Sequence, residues 1–132
     1  MTLANQTTLS ASSDIEDRRP RFGIGHMAFP ATDVAELVDF YTSIGMRLVI
    51  NMGSAAILEL RGGTHLILRQ SHTADGVLDL IVDDIDETWA LLEAVGANPS
   101  SITRGSPHDR FHASDPQGNT LTVNSNHAIG PV

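Results

Sequence analysis

The sequence predicts an α+β protein built from two copies of one βαβββ unit in a pseudo-two-fold arrangement. Two observations carry that prediction. Asp33-Val34-Ala35-Glu36 returns as Asp84-Ile85-Asp86-Glu87, and at the same shift of 51 residues Phe40 falls on Leu91, Ile44 on Val95 and Gly45 on Gly96. Farther along, Gly63-Thr64-His65-Leu66-Ile67-Leu68 lies over Gly118-Asn119-Thr120-Leu121-Thr122-Val123 at a shift of 55, so the second copy is slightly longer. A duplicated unit in a short chain places the functional cleft between the copies and gives every candidate residue a twin.

Each element has its own local signal. The apolar run Gly23 to Pro30 reads as a strand that Pro30 ends, because proline cannot donate to a ladder. Asp33 opens a helix, with Glu36 completing a capping box, and Val34, Leu37, Val38, Tyr41 and Ile44 recur at helical spacing. Gly45 stops it. Arg47 to Asn51, Ala55 to Arg61 and Thr64 to Arg69 read as strands, and Gly62-Gly63 signals a two-residue hairpin turn. The second copy repeats this order. Val77 to Val82 is a strand, and Asp84 with Glu87 caps a helix that runs to Gly96. Asn98 to Thr103, Arg110 to Ser114 and Asn119 to Asn124 follow as strands, with Asp115-Pro116-Gln117-Gly118 as a tight turn.

Composition bounds the function. A length of 132 residues fits one domain, spanning 21–132 after a polar, Ser/Thr-rich arm over 1–20 that reads as flexible. The modules cover about 22–70 and about 76–126. A net charge of −8 argues against nucleic acid and against an anionic membrane surface. There is no cysteine, which excludes disulfides, thiol catalysis and cysteine–metal sites. No apolar run suits a signal peptide or a membrane span, and the expected location is the cytoplasm. Nothing resembles a serine nucleophile elbow, a P-loop or GxGxxG, so acyl transfer, nucleotide hydrolysis and dinucleotide chemistry lack support.

The motifs together resemble the vicinal oxygen chelate superfamily: glyoxalase I, bleomycin-resistance proteins, extradiol dioxygenases and fosfomycin-resistance enzymes. The resemblance is carried by His26-Met27-Ala28-Phe29, Asp39-Phe40-Tyr41 and Gly45-Met46 in the first half. Val82-Asp83-Asp84-Ile85-Asp86 and Asp115-Pro116-Gln117-Gly118-Asn119 carry it in the second. It implies two modules forming an open, strongly curved sheet around a central pocket, and single-domain members are often homodimers whose cavities use modules of both chains. Metal-dependent members place one ligand on the first and one on the last strand of each module. Those positions here are His26, Ile67, Val77 and Thr122, and the two internal shifts place them as twin pairs. Only His26 is a plausible ligand, so no metal and no cofactor is expected.

Other candidates are weighed against ordinary roles. His26 is the candidate base or ligand contact. His65 shares a strand face with Ile67 and is expected to line the pocket; a metal shared by His26, His65 and Glu59 or His112 is the competing reading. Thr122 and Asn124 share a face and suit hydrogen bonds to a ligand. His108, Asp109, Arg110 and His112 form a cluster that can bind an anion or transfer protons, but a solvated loop is the favoured reading. Trp89, spaced with Leu92, reads as a core or interface residue; His72 and His127 are assigned no role.

Three functions are compatible with these residues. The leading one is a metal-free protein that sequesters a small, partly apolar organic molecule, as drug-resistance members of the superfamily do. The second is an enzyme, a glyoxalase-type lyase, isomerase or dioxygenase, with a rearranged Zn, Mn, Fe or Ni site or a metal-free His26 base. The third is a degenerate domain kept for dimerisation.

Overall fold

A computed structural model of the chain describes residues 16–22, 24–106 and 108–126. Most of the expected arm, Gly23 and His127 lie outside them. The first module comprises β1 (His26–Ala31), α1 (Val34–Ser43), β2 (Arg47–Asn51), β3 (Ala55–Glu59) and β4 (His65–Gln70). The second comprises β5 (Val77–Val82), α2 (Ile85–Ala94), β6 (Arg110–Ser114) and β7 (Thr120–Ser125). They form a four-stranded sheet ordered β1-β4-β3-β2 and a three-stranded sheet ordered β5-β7-β6. Within each sheet the first and last strands of the module run parallel. Among the described residues no barrel closes, and the two sheets share no ladder.

Both helices begin as their sequences dictate. The Asp33 carboxylate accepts from Glu36 N at 3.1 Å and the Asp84 carboxylate from Glu87 N at 3.0 Å, satisfying one orphan amide at each N-terminus. The first capping box is only half made. Instead of reaching back, Glu36 accepts from the Gln117 side chain at 3.0 Å. Gly45 and Gly96 follow the helices at φ 116° and 80°, where a Cβ would be strained.

Three local expectations are corrected. Pro30 does not end β1; it pairs with Arg69, and β1 continues to Ala31. This is tolerated because β1 is an edge strand, so the missing N–H leaves no ladder bond unmade. The β3–β4 connection is longer than a two-residue turn: Leu60 N donates to Thr64 O at 2.8 Å, with Gly62 and Gly63 both at positive φ between them. The segment 98–103 is not a regular strand. Ser114 N bonds Ala97 O, Ser100 N bonds His112 O, and Thr103 pairs with Arg110, so each successive contact slips by one residue. Asn98, at φ 52°, starts that irregular path.

Period-2 alternation divides each sheet into two faces. Phe29 and Ala31, Ala56 and Leu58, and Leu66 and Leu68 turn towards the helices, as do Leu78, Phe111, Ala113, Leu121 and Val123, and all are buried. Val34, Leu37, Val38 and Tyr41 of α1, with Ile85 and Leu92 of α2, complete the core. The opposite residues lie on a second, open face.

A polar lock joins the modules. Tyr41, fully buried on α1, donates to Asp115 Oδ2 at 2.8 Å. Asn119 Nδ2 donates to the same oxygen at 2.8 Å, while Gln117 N and Asn119 N donate to Oδ1 at 2.9 and 3.0 Å. Asn119 then accepts from Gly76 N at 2.8 Å, and Gln117 bonds Thr32 N and Asp33 O. Gly76 has to be glycine for packing, since a Cβ there would lie 2.5 Å from the Phe29 ring. Burial, with the Asp115 charge beside it, pushes the Tyr41 hydroxyl well above the usual phenol range, so it is a donor at neutral pH.

Tyr41→Phe removes one donor from a buried carboxylate that keeps three others. Urea unfolding is expected to show a loss of about 1.5–3 kcal/mol. Asp115→Ala, which strands several donors together, is expected to cost more; equal stability of either variant and the wild type would contradict the lock.

Candidate functional site

The ladders arrange the open face as rows running across the strands. In the first sheet, His26 pairs with His65, His65 with Glu59, and Glu59 with Arg47, so one polar row crosses all four strands. The next row is apolar: Ala28, Ile67, Ile57 and Ile50. In the second sheet, Val77, Thr120 and Ser114 form the first row, and Asp79, Thr122 and His112 the second. Ile81, Asn124 and Arg110 form a third.

The polar row has internal order. Arg47 Nε donates to Glu59 Oε1 at 2.9 Å, and a terminal guanidinium nitrogen contacts the same oxygen. His65 Nε2 lies 3.4 Å from Glu59 Oε2. The Arg47 hydrogen bond, reinforced by that from His65, holds the Glu59 carboxyl below its usual range, so it is an acceptor at neutral pH. His65 Nε2 is therefore the donor, and a neutral His65 ring keeps its lone pair on Nδ1. The contact is long for a charge-assisted bond and orients the ring rather than clamping it. His26 stands beside it, ring centroids 5.5 Å apart at 42°.

Of the candidates from sequence, His26 and His65 are direct neighbours. Ile67 lies diagonally from His26, opposite Ala28, and Val77 and Thr122 repeat that diagonal in the second sheet. Val77 is 65% exposed, whereas Asn124 is 4% exposed, its Nδ2 donating to Asp79 Oδ1 at 2.7 Å. Trp89 is half-buried against the core and donates to Ser100 O at 2.7 Å. His112 Nδ1 lies 3.2 Å from Thr122 Oγ1. The cluster after Pro107 is organised rather than merely solvated. Asp109 accepts from Gly105 N and Arg104, which together hold its carboxyl below the ordinary range, and Arg110 donates to Asn124. Sequence reasoning missed the Asp79 and Arg47 contributions because both depend on cross-strand register.

These residues do not fit the family's metal. No group of three His, Asp or Glu side chains among the described residues is placed to hold one. The shared site of His26, His65 and Glu59 or His112 is not assembled. Glu59 stands two strands from His26, roughly 10 Å at about 4.8 Å per strand, and both its oxygens are engaged. Ile67 and Val77, two of the four positions that the sequence resemblance offers as ligands, have side chains with no donor atom at all.

In one chain the open face is a surface, not an enclosed pocket. Its Ile50, Val77 and Ile81 are 46%, 65% and 47% exposed. A partly open groove of about 170 Å³ lies instead between the end of α1 and α2, lined by residues such as Ile44, Met46, Leu60, Leu80 and Leu92. That groove contains no titratable cluster, whereas the open face carries the imidazoles.

The sequence matches the model of the Glyoxalase/Bleomycin resistance protein/Dioxygenase superfamily over residues 23–123, and the chain belongs to that family. Solved structures agree in fold. TnmS3, an antibiotic binding protein from Streptomyces sp. CB03234, superposes with a TM-score of 0.70 at 23% identity, covering 79% of this chain and 95% of that one. Lactoylglutathione lyase from Agrobacterium tumefaciens gives 0.69 at 21% identity, covering 81% and 96%. A bleomycin resistance determinant encoded on the transposon Tn5 gives 0.67 at 19% identity, covering 81% and 100%. No curated protein matches the sequence. No helix among the described residues is long and apolar enough to cross a membrane.

The Glu59 row has a pH signature. Its folded carboxyl titrates below the unfolded value of 4.5, so its contribution is complete above that value and lost as pH falls through the folded one. The stability gap between wild type and Glu59→Gln, read as urea midpoints, is expected to narrow as pH falls from about 5.5 to about 3. A gap that stays constant would break the assignment.

Proposed function

We propose that the protein binds a small, partly apolar organic molecule on its open face, without a metal, in a cavity completed by a second copy of the chain. One sequence feature supports this reading: the family resemblance puts Ile67 and Val77 at positions where metal-dependent members are expected to carry ligands, which leaves His26 as the one good donor among the four. The first sheet's floor of Ile67, Ala28, Ile57 and Ile50 beside the polar anchors His26 and His65, with Val77 and Thr122 at the twin positions of the second sheet, has the composition of a small-molecule site. Sequestration fits it better than turnover, in keeping with structural neighbours that bind antibiotics or confer bleomycin resistance.

Apolar exposure supports the second copy. The edge strand β2 exposes Leu48, Val49 and Ile50, and Met52 follows at 57%. An uncovered apolar edge of this kind is a pairing surface. Light scattering is expected at twice the 14.1 kDa chain mass; a monomer at micromolar concentration would refute the shared cavity.

A second reading draws on the Glu59–His65 contact, which leaves a lone pair on an oriented imidazole and so suits proton transfer by His65 or His26. Calorimetric titration of zinc and manganese into wild type and His26→Ala separates the possibilities. Negligible binding to both is expected, with fold unchanged and small-ligand binding altered by the substitution. Tight one-to-one binding that disappears with His26 would overturn the metal-free reading and favour a metalloenzyme.

A further inference from the structure

Most arginines held in place in this acidic chain are already committed to carboxylates. Arg19 bonds Asp17, Arg47 bonds Glu59, Arg61 bonds Asp83, and Arg104 bonds both Asp86 and Asp109. Among the described residues, Arg110 alone of the hydrogen-bonded arginines has only neutral partners. Its Nε donates to Asn124 Oδ1 at 3.1 Å, and a terminal nitrogen lies 3.1 Å from His108 Nε2. A guanidinium has donors only, so His108 must present its lone pair there.

The supports are themselves anchored. Asn124 is buried, and its Nδ2 donates to Asp79 Oδ1 at 2.7 Å and Leu80 O at 3.3 Å, which turns its carbonyl oxygen towards Arg110. The guanidinium is thus positioned without being neutralised by a contact. Two residues along the same strand face, His112 ties Nδ1 to Thr122 and keeps Nε2 without a partner among the described residues. Arg110 and His112 are both exposed and their backbones stand about 7 Å apart, at about 3.4 Å per residue. That is a spacing an anion with two or three oxygens can bridge.

Nearby acids do not fill this place. Asp79 reaches Arg110 only through Asn124, which donates to its Oδ1 at 2.7 Å and accepts from Arg110 Nε at 3.1 Å, so it makes no direct contact with the guanidinium. Asp109, the neighbour of Arg110 in sequence, is occupied by Arg104 and Gly105 N. Glu59 belongs to the other sheet and is paired with Arg47.

We propose that Arg110 and His112 form an anion subsite on the open face at β6, and that the bound molecule is a small organic acid. An apolar body would lie against Ile81, which stands in the same row and is exposed, while one carboxylate, sulfonate or phosphate reaches the Arg110–His112 pair. This rests on the open face being the binding surface.

Two dyes sharing one ring system test it: 8-anilinonaphthalene-1-sulfonate, and its neutral relative N-phenyl-1-naphthylamine. Fluorescence titrations use the full chain, in chelator. Wild type is expected to bind both, and Arg110→Gln to weaken the sulfonate dye about tenfold or more while changing the neutral dye less than about twofold. Arg110→Lys, which keeps the charge, is expected to retain most of the affinity. Raising salt on the wild type from about 0.05 to about 0.5 M should weaken only the sulfonate dye, a check that needs no variant. Neutral-dye binding with a sulfonate affinity insensitive to Arg110 and to salt overturns the anion subsite alone. If neither dye binds wild type, the binding-surface reading falls with it.

Discussion

The buried Asp115 carboxylate is the constraint on which the arrangement depends. Taking a carboxylate out of water costs several kcal/mol unless its oxygens are fully bonded. Here two amides of its own turn, the Asn119 side chain and the Tyr41 hydroxyl of the other module supply the bonds. Three of the four donors come from the turn itself, so the turn is stable only in one conformation, and that conformation aims the fourth acceptor site at Tyr41. The second module's turn is thereby tied to the first module's helix through the Tyr41 hydroxyl. The orientation of both sheets, and of the residues on their open faces, follows from it.

The lock also shows how the two copies have diverged. The twin of Tyr41 is Leu92, the twin of Phe29 is Leu80, and the twin of Phe40 is Leu91. In the first module the rings of Phe29, Phe40 and Tyr41 meet edge-on, with centroids 5.0 to 6.2 Å apart. In the second, leucines occupy those places and the groove between the helices remains. The twin of the Asp115 turn, Leu60 to Thr64, carries no carboxylate. One side of the pseudo-symmetric pair is therefore fastened and the other is loosely filled. On the open face the same divergence sets a histidine–glutamate–arginine row in one sheet against Val77, Thr120 and Ser114 in the other.

Much of this was legible in the sequence because its signals are local. The Asp33 and Asp84 caps, the stopping glycines and the period-2 strands depend on residues a few positions apart, and the repeat fixed their order. What was not legible depends on partners far along the chain. Glu36 bonds Gln117, 81 residues away, and so leaves its capping box half made. The slipping contacts of 98–103 are made with Arg110, His112 and Ser114, partners that no alternation pattern encodes. Pro30 continues its strand because β1 is an edge, which only sheet order reveals. For the site, the two-residue spacing of His65 and Ile67 correctly put them on one face, but pairing His65 with His26, and Arg110 with Asn124, required the ladder register.

The central claim is that ligand recognition belongs to the open face and needs no metal. Amide chemical-shift mapping of the isotopically labelled protein, titrated with N-phenyl-1-naphthylamine in excess chelator, tests it most directly. Shifts are expected to concentrate at His26, Ala28, Ile57, Ile67 and Thr122. Shifts confined to Ile44, Met46, Leu91 and Leu92, in the groove between the helices, would contradict it.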